Sequence, residues 1–282
     1  MDTRALTTLL ALGALTSAAI SLLTCCLVMA LLELVRAHGA AVLVRDPAAP
    51  GALALLGLIA GRTAMTARAL LRAWRFRRRC RRDLRHREVT VPTGLRRLAA
   101  DVGIRRLQMV ADGIAAAFTV GLARPRVVVT TALLAELKQT ELAAVLRHEA
   151  EHARRRDPLR LLVSQVAHAW TYFLPLARHL RRQVALGAEL AADRAAIRHH
   201  GRRPVAAALV QLTVDVPSPG PAFGAGPTLT ARVRQLETGT EPPAPRIGQR
   251  DRALTAAATL ALAWMVLSAT VVTLTAPASC LA

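Results

Sequence analysis

Three stretches of the chain lose almost all their charged residues, and they set its outline. Residues 5–32 hold 28 positions without a charge, bracketed by Arg4 and Glu33. Residues 47–67 are apolar apart from Arg62, whose long side chain can snorkel toward an interface. Residues 253–276 carry no charge at all. About 20 apolar residues cross a bilayer as a helix, so each stretch predicts a transmembrane helix. The first is longer than the roughly 7–15 apolar residues of a signal peptide, which favours a retained anchor. Between the second and third stretches the pattern becomes periodic, and one folded domain is expected there.

Within that domain, residues 94–101 read as a short helix. Residues 107–110 and 114–120 flank the turn signal Ala111-Asp112-Gly113 and predict a hairpin. Arg124-Pro125 breaks the chain before Val127-Val128-Val129, a β-branched run suited to a buried strand. Residues 131–137 give a helical turn or two. Thr140 is then placed to cap a helix over residues 141–155, with Glu141 set favourably against its N-terminal dipole. Leu142, Val145 and Leu146 form its core stripe, and Asp157-Pro158 ends it. Residues 159–176 are apolar but interrupted by Arg160, Gln165 and His168 and cut by Pro175. They predict a helix that packs on the domain or lies at the interface without crossing. Helices are expected over 181–201, closed by Gly201, and over 204–214. A short amphipathic helix at 229–237 lies between linkers rich in Pro and Gly at 217–227 and 241–246.

The expected fold is thus α+β and mainly helical, with a small β-sheet and flanking transmembrane helices. Residues 1–88 form a membrane anchor with two spans (about 5–35 and 47–72) and a basic segment. Residues 89–215 form the folded domain, 216–250 a linker with a short helix, and 251–282 the last span and a short tail.

Charge adds direction. The net charge is +20, and Lys138 is the only lysine, so the excess is arginine on an alanine-rich background. That overall bias carries little information, but its placement does. Nine of the sixteen residues from 72 to 87 are arginine, directly after the second span. Arg246, Arg250 and Arg252 precede the third, whereas residues 36–50 carry only Arg36 and Arg45. Arginine beside a span marks its cytoplasmic side. The expected protein crosses the cell membrane several times, with a short outer loop, the folded domain in the cytoplasm and the C-terminal tail outside. Trp74 and Phe76 within the basic run suit the membrane edge, so contact with anionic lipid is expected rather than nucleic-acid binding. Cys25, Cys26, Cys80 and Cys280 have neither zinc-ligand spacing nor the look of a disulfide framework.

The chemistry concentrates at His148-Glu149-Ala150-Glu151-His152. Histidines four apart on a helix share a face, so both imidazoles can point at one metal ion. Glu149 then stands beside the ion as a general base for an attacking water, while Glu151 faces elsewhere. A hydrolytic zinc site takes three protein ligands and keeps one position open. Glu189 is the candidate third ligand. Glu189-Leu190-Ala191-Ala192-Asp193 puts two carboxylates on one helical face, among alanines that allow a second helix to come close. Asp193 would accept a hydrogen bond from a ligand histidine and fix its tautomer. Asp157 is read as a helix stop that pairs with Arg154 to Arg156. His168 and His179 are read as packing or surface residues, and His199 or His200 as weak candidates for stabilising an oxyanion. Residues 118–121 form a candidate edge strand alongside which extended peptide could add.

These residues resemble the BlaR/MecR-type membrane zinc peptidases, relatives of HtpX-like peptidases. The resemblance runs through Ala117-Phe118-Thr119-Val120-Gly121, Pro125-Arg126-Val127-Val128-Val129 and the helix from Glu141 to His152. It continues through Arg155-Arg156-Asp157-Pro158 and ends with Glu189 to Asp193. It implies a membrane-anchored, gluzincin-like zinc endopeptidase with Glu189 as third ligand, acting on a regulatory or membrane-proximal polypeptide. Only six residues follow the last span, so no antibiotic-sensing domain of the kind carried by the family's sensors is expected. The alternative expectation is a non-catalytic membrane scaffold that keeps the fold.

Overall fold

The computed structural model describes residues 2–38, 49–214, 225–243 and 246–275. Their helices are α1 (Asp2–His38), α2 (Ala49–His86), α3 (Thr93–Asp101), α4 (Thr131–Glu136) and α5 (Gln139–Arg155). After these come α6 (Asp157–Trp170), α7 (Pro175–His200), α8 (Arg202–Val214), α9 (Ala225–Thr238) and α10 (Gln249–Thr275). The strands are β1 (Glu88–Val89), β2 (Leu107–Val110), β3 (Ala117–Val120) and β4 (Arg126–Thr130). The chain divides into two units. One holds Met1–Leu6, Arg72–Ser164 and Arg181–Pro245, the other Thr7–Leu71, Gln165–Leu180 and Arg246–Ala282.

The first unit contains a mixed four-stranded sheet in the order β1-β2-β4-β3. β2 runs parallel to β4, and β3 runs antiparallel to it. The expected hairpin between residues 107–110 and 114–120 is therefore not formed, because β4 lies between its two arms. Burial explains the order. Val127, Val128 and Val129 have no exposed surface, and a strand buried on both faces must be apolar throughout. Val127 and Val129 pack with Leu95, Leu133, Leu142 and Leu146, while Val128 packs with Leu84 and Cys80 of α2. At roughly 1.5–3 kcal/mol for each large apolar side chain buried, this run fixes the sheet more firmly than the turn residues can. β3 is left at an edge and ends at Gly121, whose φ of +101° suits glycine. A Cβ there would lie 2.7 Å from the Arg124 carbonyl oxygen.

α5 begins one residue before Thr140, which therefore does not cap it. Instead the Lys138 backbone N–H donates to Glu141 Oε2 at 3.0 Å, so Glu141 reaches back from the first turn to satisfy the entry. Arg156 closes α5 in the left-handed region, with φ 54°. α7 starts at Pro175 rather than at residue 181, since proline's missing N–H costs nothing in a first turn. Its end at His200 is closed by Gly201, whose N–H donates to the Ile197 carbonyl at 2.8 Å. α9 begins at Ala225, four residues before the expected start at 229.

In the second unit, Ile20 and Leu23 of α1 pack with Leu262 of α10 and with Leu58 and Ile59 of α2. Among the described residues one helix is long and apolar enough to cross a membrane, α1 over Thr3–Cys26. Arg62 does not snorkel. It is 2% exposed, because Ser17 Oγ accepts from its Nη2 at 3.1 Å and its guanidinium lies over the Trp170 ring, 4.2 Å from the centroid. Most of the expected outer loop, most of the first linker, part of the second and the C-terminal tail with Cys280 lie outside the described residues.

Candidate metal centre

Leu142, Val145 and Leu146 anchor α5 in the core, and the adjoining face of the helix, past Val145, borders a cleft. His148 and His152 stand on that face with their Nε2 atoms 3.1 Å apart. α8 packs along α5, and Ala144 of α5 shares one buried cluster with Ala196 of α7 and with Val205 and Leu209 of α8. α7 brings Glu189 to both histidines: Oε2 lies 3.7 Å from His148 Nε2 and Oε1 3.7 Å from His152 Nε2. One donor atom from each of the three residues lies within 4.8 Å of the other two.

Two buried carboxylates set the histidine tautomers. His148 Nδ1 lies 2.9 Å from Asp193 Oδ1, and His152 Nδ1 lies 2.8 Å from Asp157 Oδ2. With each Nδ1–H donating to a carboxylate, both Nε2 atoms face the same small space beside a third negative group. Such a donor set calls for a cation. Bonds of about 2.0–2.1 Å in a tetrahedron imply ligand separations of roughly 3.3 Å, between the 3.1 and 3.7 Å observed. The residues therefore fit a small divalent ion, and His148, His152 and Glu189 would hold it.

Protonation follows from the same contacts. Burial alone would depress His148, but the Asp193 and Glu189 carboxylates outweigh it and push its pKa up to about 10. Burial likewise opposes the charge on His152, and Asp157 reverses the balance upward. Burial pushes Glu189 upward, yet His148, His152 and Arg232 hold it well below the usual carboxylate range. Asp193 is lowered in the same way, against its burial, by His148 and Arg232.

Glu149 is buried beside this cluster, and its Oε2 lies 2.7 Å from Thr119 Oγ1 of the edge strand β3. The carboxylate is thereby held between β3 and the histidines. Glu151 faces away and pairs with Arg154 at 2.6 Å. The cleft above has a volume of about 640 Å³, and Phe118, Leu161, Leu209 and Leu229 are among the side chains lining it. His199 and His200 do not line it: His199 Nε2 meets Arg147 Nη2 at 2.6 Å instead.

Three participants were not foreseen from the sequence. Arg232 of α9 donates through Nε and Nη2 to the two oxygens of Asp193, at 2.7 and 2.8 Å, and its Nη1 lies 3.3 Å from Glu189 Oε2. Nothing in residue spacing marks it, because α9 is distant in sequence. Thr119 stands out in the sequence only as part of the strand and motif at 117–121. Asp157 was expected to pair with neighbouring arginines. It does meet Arg155 and Arg160, but its other oxygen holds His152.

A family model described as BlaR1 peptidase M56 matches residues 47–236, more than half of the chain and all of the cleft. No curated protein matches the chain.

Proposed function

The chain belongs to the BlaR1 peptidase M56 family, and from that premise we propose that it is an integral membrane, zinc-dependent endopeptidase with a cytoplasm-facing active site. The family supports a membrane-associated metallopeptidase. The convergence of His148, His152 and Glu189 with a buried glutamate at their side supports the metal chemistry. Two histidines, one carboxylate and an open fourth position are the donor set of hydrolytic zinc rather than of structural zinc. α1 and the arginine run on α2 support the membrane placement and its orientation.

When bound, zinc supplies Lewis acidity, which makes water acidic near neutral pH and polarises a carbonyl. The rest falls to this chain's own groups. Glu149 takes the proton from the attacking water and returns it to the departing amine, and Thr119 keeps its carboxylate aimed. Asp193 and Asp157 hold the imidazoles in the Nδ1–H tautomer, and Arg232 fixes Asp193 and Glu189 together. β3 offers an open strand edge beside Glu149, along which an extended substrate segment pairs through its backbone. The substrate is a cytoplasmic or membrane-proximal polypeptide, a regulator or a damaged membrane protein.

The test is Glu149→Gln in the full-length protein. Cleavage of a polypeptide substrate should fall by about 10²–10⁴-fold while bound zinc stays equimolar. Unchanged cleavage would remove Glu149 as the base. A wild-type protein that binds zinc but cleaves nothing would favour the scaffold.

A further inference from the structure

We propose that the cavity between α1, α2 and α6 is a binding site for a long-chain carboxylate, its head on Arg62 and its alkyl chain along α1. The proposal rests on the membrane placement of α1 and α2 given above. Arg62 lies at 2% exposure in an apolar bundle, and among the residues whose side chains are described none forms an ion pair with it. Its acceptors are Ser17 Oγ at 3.1 Å and the Thr16 carbonyl at 3.5 Å, and its Nε has no hydrogen-bond partner. Ser17 has nothing more to give. Its hydroxyl donates to the Gly13 carbonyl at 2.6 Å and already accepts from Trp170 Nε1 at 2.5 Å. A guanidinium left this way inside a membrane bundle is costly, and a single delocalised anion matching its fork resolves the cost.

The space around Arg62 says what that anion carries. The cavity has a volume of about 540 Å³, in the range of small-ligand sites. α1 lines it with Ser17, Ser21, Thr24 and Val28, a stripe of one helical face. From Ser17 to Met29 this wall runs about 18 Å at 1.5 Å per residue. Hydroxyls lie near the Arg62 end, and Val28 and Met29, each about half exposed, form the other. A single extended alkyl chain follows a wall of about that length, and a polypeptide on the same wall is an outcome the experiment separates.

The experiment measures palmitate retention by purified full-length protein in uncharged detergent micelles, read by native mass spectrometry, with hexadecanol and dipalmitoyl phosphatidate as competitors. One palmitate per chain is expected. Arg62→Met should weaken retention about tenfold or more, as loss of a charge-assisted pair implies. Hexadecanol, which has the chain without the charge, should not displace palmitate. Ile59→Trp should block the cavity while leaving Arg62 in place, and it decides the matter if Arg62→Met fails to fold. Unchanged retention in either variant overturns the proposal, as does equal displacement by hexadecanol. So does retention of phosphatidate alone, or of a copurifying membrane polypeptide in place of palmitate. Failure of palmitate binding in a protein that stays in the membrane fraction sinks this site alone. A protein absent from that fraction sinks the membrane placement instead.

Discussion

His148 and His152 aim their Nε2 atoms at each other while buried carboxylates hold their Nδ1 atoms, so this space takes either a proton or a metal ion. The carboxylates raise His148 to about 10, so the metal-free protein carries a proton there at neutral pH. A metal ion must displace it. Affinity should therefore rise with pH and fall in acid, by about tenfold per unit for each proton displaced, between roughly pH 6 and 9. Competition against a chelating dye measures this, and a flat profile would show that His148 is already neutral. The nearness of His148, Glu149 and His152 was legible because it follows from the period of one helix, and the shared face of Glu189 and Asp193 follows likewise. The link from Arg232 was not, since it depends on where α9 docks.

At the scale of elements, the bend after α5 carries the strain. Arg156 adopts a left-handed backbone, costing an L-residue about 1–2 kcal/mol, and its side chain is exposed. The bend starts α6 at once and lets Asp157 reach back to His152. Arg156→Gly removes the strain at an entropic cost of about 0.5–1 kcal/mol, so chemical denaturation should show stability unchanged or raised by up to about 1.5 kcal/mol. A clear loss would assign Arg156 a contact beyond its backbone. Most helices were legible from caps and periodicity. The misread hairpin shows where that reading stops: Ala111-Asp112-Gly113 marks a turn, but which strands then pair depends on the burial of Val127 to Val129, a tertiary matter.

For the whole molecule, three charge-free runs and an arginine cluster meet the length and charge rules of a bilayer, and among the described residues α1 is the one helix long and apolar enough to cross. The family match begins at residue 47, after α1, and α1 over Thr3–Cys26 is the strongest candidate span among the described residues. The full-length protein should therefore pellet with membranes and resist extraction by alkaline carbonate; release into the wash would refute the anchor. If the chain cleaves polypeptides as proposed, the open edge of β3 bears on which of them can be cut and when. A strand edge accepts only extended backbone, so a helix or compact domain in the target must first come undone. On the proposed function, the timing of cleavage belongs to the target's own unfolding, and a well-folded neighbour would survive beside the protein whatever its sequence.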